Sequence, residues 1–150
     1  MKIWVDADAC PQDIKEILYK TADRLDIPTV LVANMKLRTP DISSVSTIQV
    51  PGGADVADEY IVEHLSKGDF VITADVPFAA KAVEKGALGI DPRGEVYTEE
   101  NVGERLSLRN FMMDMRSGGL VQGGPPPMAT SDRHKFAAAL DRELTKKRNA

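Results

Sequence analysis

Apolar and polar positions follow two alternating periods along the first ninety residues. Short apolar runs of strand length occur at residues 2–5, 29–33, 47–50, 70–73 and 87–90. Between them apolar residues recur at helical spacing. Ile14, Ile17, Leu18, Thr21, Ala22 and Leu25 line one side of a helix that opens at Pro11 and stops at Ile27-Pro28. A second helix is predicted from about Ala54, with Val56, Ala57, Tyr60, Ile61, His64 and Leu65 on its apolar side. A third is predicted from about Pro77 to Lys85, ended by Gly86. Strands and helices alternating on short connections specify an α/β fold with a mainly parallel central sheet flanked by helices. Right-handed crossovers then gather the strand C-termini along one edge, where ligands bind in such sheets.

After Asn101 the pattern changes. A helix is expected over residues 102–115, with Gly118-Gly119 as its C-terminal stop. Val121-Gln122-Gly123-Gly124-Pro125-Pro126-Pro127 excludes regular structure. It is no P-loop, because no Gly-Lys-Ser/Thr follows, and a rigid turn supporting the last helix is the expectation. Ser131 is the expected N-cap of that helix, whose apolar residues are Phe136, Leu140 and Leu144. Neither an internal repeat nor a second domain is visible, so residues 1–150 read as a single domain with its C-terminal helices packed onto it.

Composition narrows the function classes. The hydrophobic fraction is 43% and the charged fraction 28%, as in ordinary globular domains. A net charge of -4 gives no general basic character, so any nucleic-acid affinity needs a local basic face. The one cysteine, Cys10, excludes an internal disulfide and a Cys-based metal cage. It neighbours the acids of the first strand without a base in triad-like placement, and a buried thiol is expected. No stretch nears the roughly 18 apolar residues of a membrane span. With no signal-peptide pattern, a cytoplasmic protein is the expectation.

The candidate chemistry is acidic. Asp6 and Asp8 follow the first strand, in IWVDADACP, and Asp75 closes the fourth, in Val71-Ile72-Thr73-Ala74-Asp75. Asp55, Asp58 and Glu59 open the second helix at spacings that share a face. If the first and fourth strands are neighbours, Asp6 and Asp75 lie within a side chain of each other. Carboxylates that converge without basic partners repel, and Mg²⁺ or Mn²⁺ relieves that repulsion through oxygen ligation. Such an ion activates water and stabilises an attacked phosphodiester. Structural readings stand beside this one: the helix dipole favours Asp55 and Asp58 in a first turn, and Asp8 and Asp75 can cap helices.

These stretches resemble a known family. IWVDADACP, VPGGADVADEYIVEHL, ITADVPFAAKAVEKGALGIDPRGEVYT, RNFMMDMRSGG and GGPPPMATSDRHKFAAALD, spread over nearly all of the chain, are similar to the YaiI/YqxD family of small bacterial proteins. That family is similar in turn to PIN-like nucleases and the related NYN domains. The resemblance implies a three-layer PIN-like fold whose carboxylates bind Mg²⁺ or Mn²⁺ and cut RNA. It implies that Asp6 is the acid ending strand one, that Asp55 opens the mid-chain helix with Asp58 behind it, and that Asp75 is the first acid of the pattern T-x-D-x-D. The second acid of that pattern falls on Pro77 here. Asp8 is the candidate to supply the missing oxygen.

The basic candidates are fewer. Arg105, Arg109 and Arg116 recur at spacings of four and seven, with Met112 between, and form one stripe able to contact phosphates. The alternative is a solvated face paired with Glu104 or Asp114. Lys36 and Arg38 follow the second strand, on the presumed active edge. Three Tyr, four Phe and one Trp leave no evident stacking platform. Three functions therefore compete: a metal-dependent phosphodiesterase acting on RNA; a non-catalytic nucleic-acid- or metal-binding protein; and a haloacid-dehalogenase-type phosphatase with Asp6 as nucleophile and Asp8 as acid–base. The last leaves Asp55 and Asp58 unexplained.

Overall fold

A computed structural model describes residues 1–120 and 126–149. Most of the glycine–proline loop, Val121 to Pro125, lies outside the described residues. Six strands, β1 (Ile3–Asp6), β2 (Thr29–Ala33), β3 (Val45–Gln49), β4 (Phe70–Ile72), β5 (Leu88–Ile90) and β6 (Val96–Tyr97), form one sheet in the order β3-β2-β1-β4-β5-β6. The first five are parallel and β6 pairs antiparallel with β5. Five helices accompany them: α1 (Gln12–Leu25), α2 (Val56–His64), α3 (Val76–Glu84), α4 (Val102–Ser117) and α5 (Thr130–Arg148).

Strand alternation sorts the core into two halves. Ile3 and Val5 point to the face covered by α1 and α5, where they meet Ile14, Leu18, Phe136 and Leu140. Trp4 points to the other face and meets Ile61 of α2 and Phe78 of α3. The result is three layers, with α4 laid against α3 through Val102 beside Ala79 and Val83. β2 is buried along its whole length, as expected of a parallel strand covered on both faces. Each fully buried Ile, Leu or Phe contributes about 1.5–3 kcal/mol relative to exposure.

Local chemistry sets the boundaries. The carbonyl of Pro11 accepts from Ile14 and Lys15, and Asp26 ends α1 in the left-handed region at φ 52°, its N–H donating to Ala22 O. Gly119, at φ 74°, closes α4, with Leu120 N–H donating to Met115 O. Four sequence expectations need correction. β3 begins at Val45 rather than Thr47, because Val45 pairs with Thr29 at the start of β2. β6 was not expected; a turn in which Asp91 O and Oδ1 accept from Gly94 and Arg93 creates it. The last helix starts at Thr130, so Ser131 lies inside it, and Asp132 Oδ2 accepts the Ala129 N–H at 3.0 Å. His64 is exposed rather than packed in the core; its Nδ1 meets Tyr60 O at 2.8 Å and its ring stacks on Tyr60 at 4.0 Å.

Two ion pairs anchor the start of α5: Arg93 of the β5–β6 turn to Asp132 at 3.2 Å, and Arg133 to Asp13 of α1 at 2.7 Å. Arg93 also donates to Pro126 O. By contrast, α4 buries none of its residues and leaves Leu108 and Phe111 more than half exposed. Among the described residues no helix is long and apolar enough to cross a membrane.

Candidate metal centre

The strand order reverses direction at β1: β2 and β3 lie on one side, β4 and β5 on the other. In parallel sheets the crevice at such a switch point, beyond the strand C-termini, is the usual ligand site. Asp6, Asp55, Asp58 and Asp75 gather there. β1 and β4 are direct neighbours, with Val5 beside Ile72, so Asp6 emerges next to Thr73. Thr73 is buried and its hydroxyl serves both acids: Oγ1 accepts the Asp75 N–H at 3.0 Å and donates to Asp6 Oδ2 at 3.2 Å.

Asp75 is the N-cap of α3, its Oδ1 accepting the Phe78 N–H at 3.1 Å. The capping expected of a strand-end aspartate is therefore present. Asp55 behaves differently. It precedes α2 at φ 64°, a left-handed conformation unusual for a side-chain-bearing residue, and its carboxylate makes no capping bond. One carboxylate oxygen each from Asp55, Asp58 and Asp75 lies within 4.8 Å of the others. The three line a cleft of about 270 Å³ between α2 and α3, with Glu59 and Glu63 on one wall and Pro77 and Lys81 on the other.

Electrostatics record the crowding. Asp58 is pushed from its ordinary 3.8 up to about 7, first by burial and then by repulsion from Asp6, Asp75 and Asp55; Lys81 opposes the shift. Asp6 is also raised, chiefly by burial, against the lowering effect of the Thr73 hydrogen bond. Asp75 and Asp8 push it further up. An acid whose ionisation is opposed first by burial and then by other acids gains from a cation that takes the place of its proton. Cys10 is buried and its thiol is pushed up to about 12, chiefly by burial, which removes it as a nucleophile near neutral pH.

The other predicted residues fall outside the cluster. Asp8 turns toward β2, where its Oδ2 accepts the Asn34 N–H at 2.9 Å. Lys36 and Arg38 are exposed on the loop just beyond, on the same sheet edge. The arginine stripe does not line the cleft. Arg105 pairs at 2.6 Å with Glu95, neither of the expected partners, and Arg109 donates to Asn110 Oδ1 at 3.0 Å, while Arg116 is exposed. Lys81 was not singled out for this cleft, although its spacing from Pro77 places both on one side of α3. A larger hollow of about 400 Å³ lies at the opposite edge of the sheet, among Phe70, Leu88, Glu100, Lys146 and Lys147; it contains none of the converging acids.

The family described as "Uncharacterized BCR, YaiI/YqxD family" matches residues 4–146. A UPF0178 protein of Citrifermentans bemidjiense is 54% identical over 146 residues, covering 97% of this chain and 95% of that protein. One from Geobacter metallireducens is 56% identical over 146 residues, with coverage of 97% and 94%. One from Shewanella sp. (strain MR-4) is 51% identical over 145 residues, covering 97% of each. No solved structure matches the chain at a significant level.

Proposed function

The chain belongs to the YaiI/YqxD family, and from that premise we propose that it is a metal-dependent phosphodiesterase of PIN-like type acting on RNA. The observation that carries this reading is the approach of Asp55, Asp58 and Asp75 to within 4.8 Å at the sheet's switch point, with Asp6 alongside. The donor set fits a hard divalent ion, being all carboxylate oxygen with open space beside it. Asp55, Asp58 and Asp75 would hold Mg²⁺ or Mn²⁺, which supplies charge stabilisation and water activation when bound. Thr73 fixes the Asp6 carboxylate toward the cluster and leaves its second oxygen for a water or a substrate hydroxyl. Lys36 and Arg38, exposed beyond β2, offer phosphate contacts outside the cleft.

A second reading, a non-catalytic nucleic-acid- or metal-binding protein, draws on Pro77, which stands in the cleft wall where the PIN-like pattern carries another acid. One experiment separates the two. Purified protein is incubated with single-stranded RNA and with a generic phosphate monoester, each with Mn²⁺, Mg²⁺ or chelator. Metal-dependent RNA cleavage lost in Asp6→Asn and Asp75→Asn supports the phosphodiesterase. RNA or metal binding without cleavage supports the second reading, and monoester hydrolysis would return weight to the phosphatase.

A further inference from the structure

Alone among the described helices, α4 has no buried residue. Its apolar side chains are nevertheless ordered. Of the six large apolar residues exposed among the described residues, Leu108, Phe111, Met113 and Leu120 belong to α4 or follow it. Leu108, Phe111, Met112 and Met115 share one face, lying three, four and seven residues apart from the first. Leu108 and Phe111 are exposed, Met112 and Met115 half-buried, and none of the four joins a hydrophobic cluster of the core. This spacing is the seam along which one helix packs on another. A contiguous apolar stripe with a polar rim marks an interaction surface.

The charges at its two ends select the occupant. Glu104 stands one turn before Leu108, and Arg116 one turn after Met112. Both are exposed, and neither has an ion-pair partner among the described residues. A second α4 laid antiparallel, about a twofold axis level with Asn110, sets Leu108 opposite Met112 of the second copy. The same register sets Glu104 opposite its Arg116, and symmetry makes each contact twice. The helix dipoles then oppose one another favourably. A parallel copy would instead set Glu104 against Glu104 and Arg116 against Arg116. Acids on the rim, Glu104 and Asp114, disfavour an anionic membrane or a nucleic acid as the cover. The 16 residues of α4 span about 24 Å, with a helix width of about 10 Å. One such face falls short of the roughly 800 Å² per partner of a stable complex, so the contact is weak and reversible.

We propose that α4 is the contact surface of a weak twofold homodimer, in which two copies of the stripe pack antiparallel with Glu104–Arg116 pairs at both ends. Sedimentation velocity of the full chain from about 5 µM to about 1 mM should show a monomer–dimer equilibrium with a Kd of about 10–100 µM. Phe111→Ser and Leu108→Ser should each weaken it at least about tenfold. Their Tm should match that of the wild type, because both side chains are exposed. Glu104→Arg and Arg116→Glu should each weaken it about tenfold, since each sets like charges together at both ends. Combining the two in one chain should restore the wild-type Kd, because acid and base have exchanged places and the net charge is unchanged. A monomer at every concentration overturns the proposal. So does a dimer indifferent to Phe111→Ser and Leu108→Ser, which would lie on another surface. Loss in both single charge variants without recovery in the double overturns the antiparallel register and the proposal with it.

Discussion

Replacing Asp58 with Asn should stabilise the metal-free protein, and the gain should depend on pH. Asp58 ionises near 7 in the folded chain against an ordinary 3.8, because burial and three other carboxylates oppose its charge. An acid with a raised folded value binds more protons folded than unfolded between those two values, so stability falls as pH rises through that window. Below about pH 4 the side chain is neutral in both states and costs nothing extra. Above about pH 7 it is ionised in both, and the full penalty applies. For a fully buried acid the interval corresponds to about 4 kcal/mol. Asp58 is only half-buried, and solvent screening reduces this to about 1–2 kcal/mol. The amide replaces the carboxylate without breaking a hydrogen bond, since Asp58 makes none through its side chain among the described residues. Urea denaturation of wild type and Asp58→Asn in chelator, at pH 4.5 and at pH 8, should show the variant ahead by about 1–2 kcal/mol only at the higher pH. The Tm should rise by about 3–6 °C there. Mn²⁺ at about a hundred times its Kd should stabilise wild type by about 2.7 kcal/mol at pH 8 and leave the variant almost unmoved. Equal stability of the two proteins at pH 8, or a gain of the same size at both pH values, would refute the account of Asp58 as a carboxylate opposed by burial and by its neighbours.

Thr73→Val removes the hydroxyl between Asp6 and Asp75 and should cost about 1–3 kcal/mol by denaturation, together with most metal-dependent cleavage. Asp69→Ala should cost at least about 3 kcal/mol and shift tryptophan fluorescence, because that buried carboxylate accepts from Lys2 N, Trp4 Nε1 and Ser66 N at 3.0, 3.0 and 2.8 Å. Gly94→Ala should destabilise by about 1–3 kcal/mol, since the residue sits at φ 93° and a Cβ there would meet the Lys135 backbone at 2.8 Å. Faster proteolysis within α5 would locate that damage; unchanged stability and cleavage would contradict the close packing of the β5–β6 turn.

Much of the architecture was legible because it follows from period. β2 runs over residues 29–33, as its uninterrupted apolar run predicted, and the helix faces of α1 and α5 follow their 3.6-residue spacing. What escaped was fixed by partners distant in sequence. β3 is an edge strand, partly exposed, and its start is set by pairing with Thr29 rather than by its own hydrophobicity. β6 spans two residues and exists because of the turn before it. Arg105 finds Glu95, just before β6, while the acids near it in sequence are Glu104 and Asp114. The same division holds at the site. The spacing of Asp55 and Asp58 and the strand-end place of Asp75 were visible in the sequence. The direction taken by Asp8, decided by the Asn34 amide, was not.

Two aspartates with left-handed backbones separate structural need from site geometry. Asp26 adopts φ 52° at the end of α1, and its N–H is satisfied by Ala22 O in an ordinary helix stop. Asp55 adopts φ 64° at the start of α2, where an extended N-cap residue would cost less and could cap the helix with its own carboxylate. It does neither, and a strained conformation of this kind costs about 1 kcal/mol or more. The conformation instead accompanies a carboxylate oxygen set beside those of Asp58 and Asp75. Helix capping explains Asp75, and the helix dipole favours an acid at Asp58, but neither explains an uncapped, left-handed Asp55. The cost at Asp55 and the raised ionisation of Asp58 therefore fall on the same few ångströms, as the proposed metal site requires of a fold that gives up stability for function.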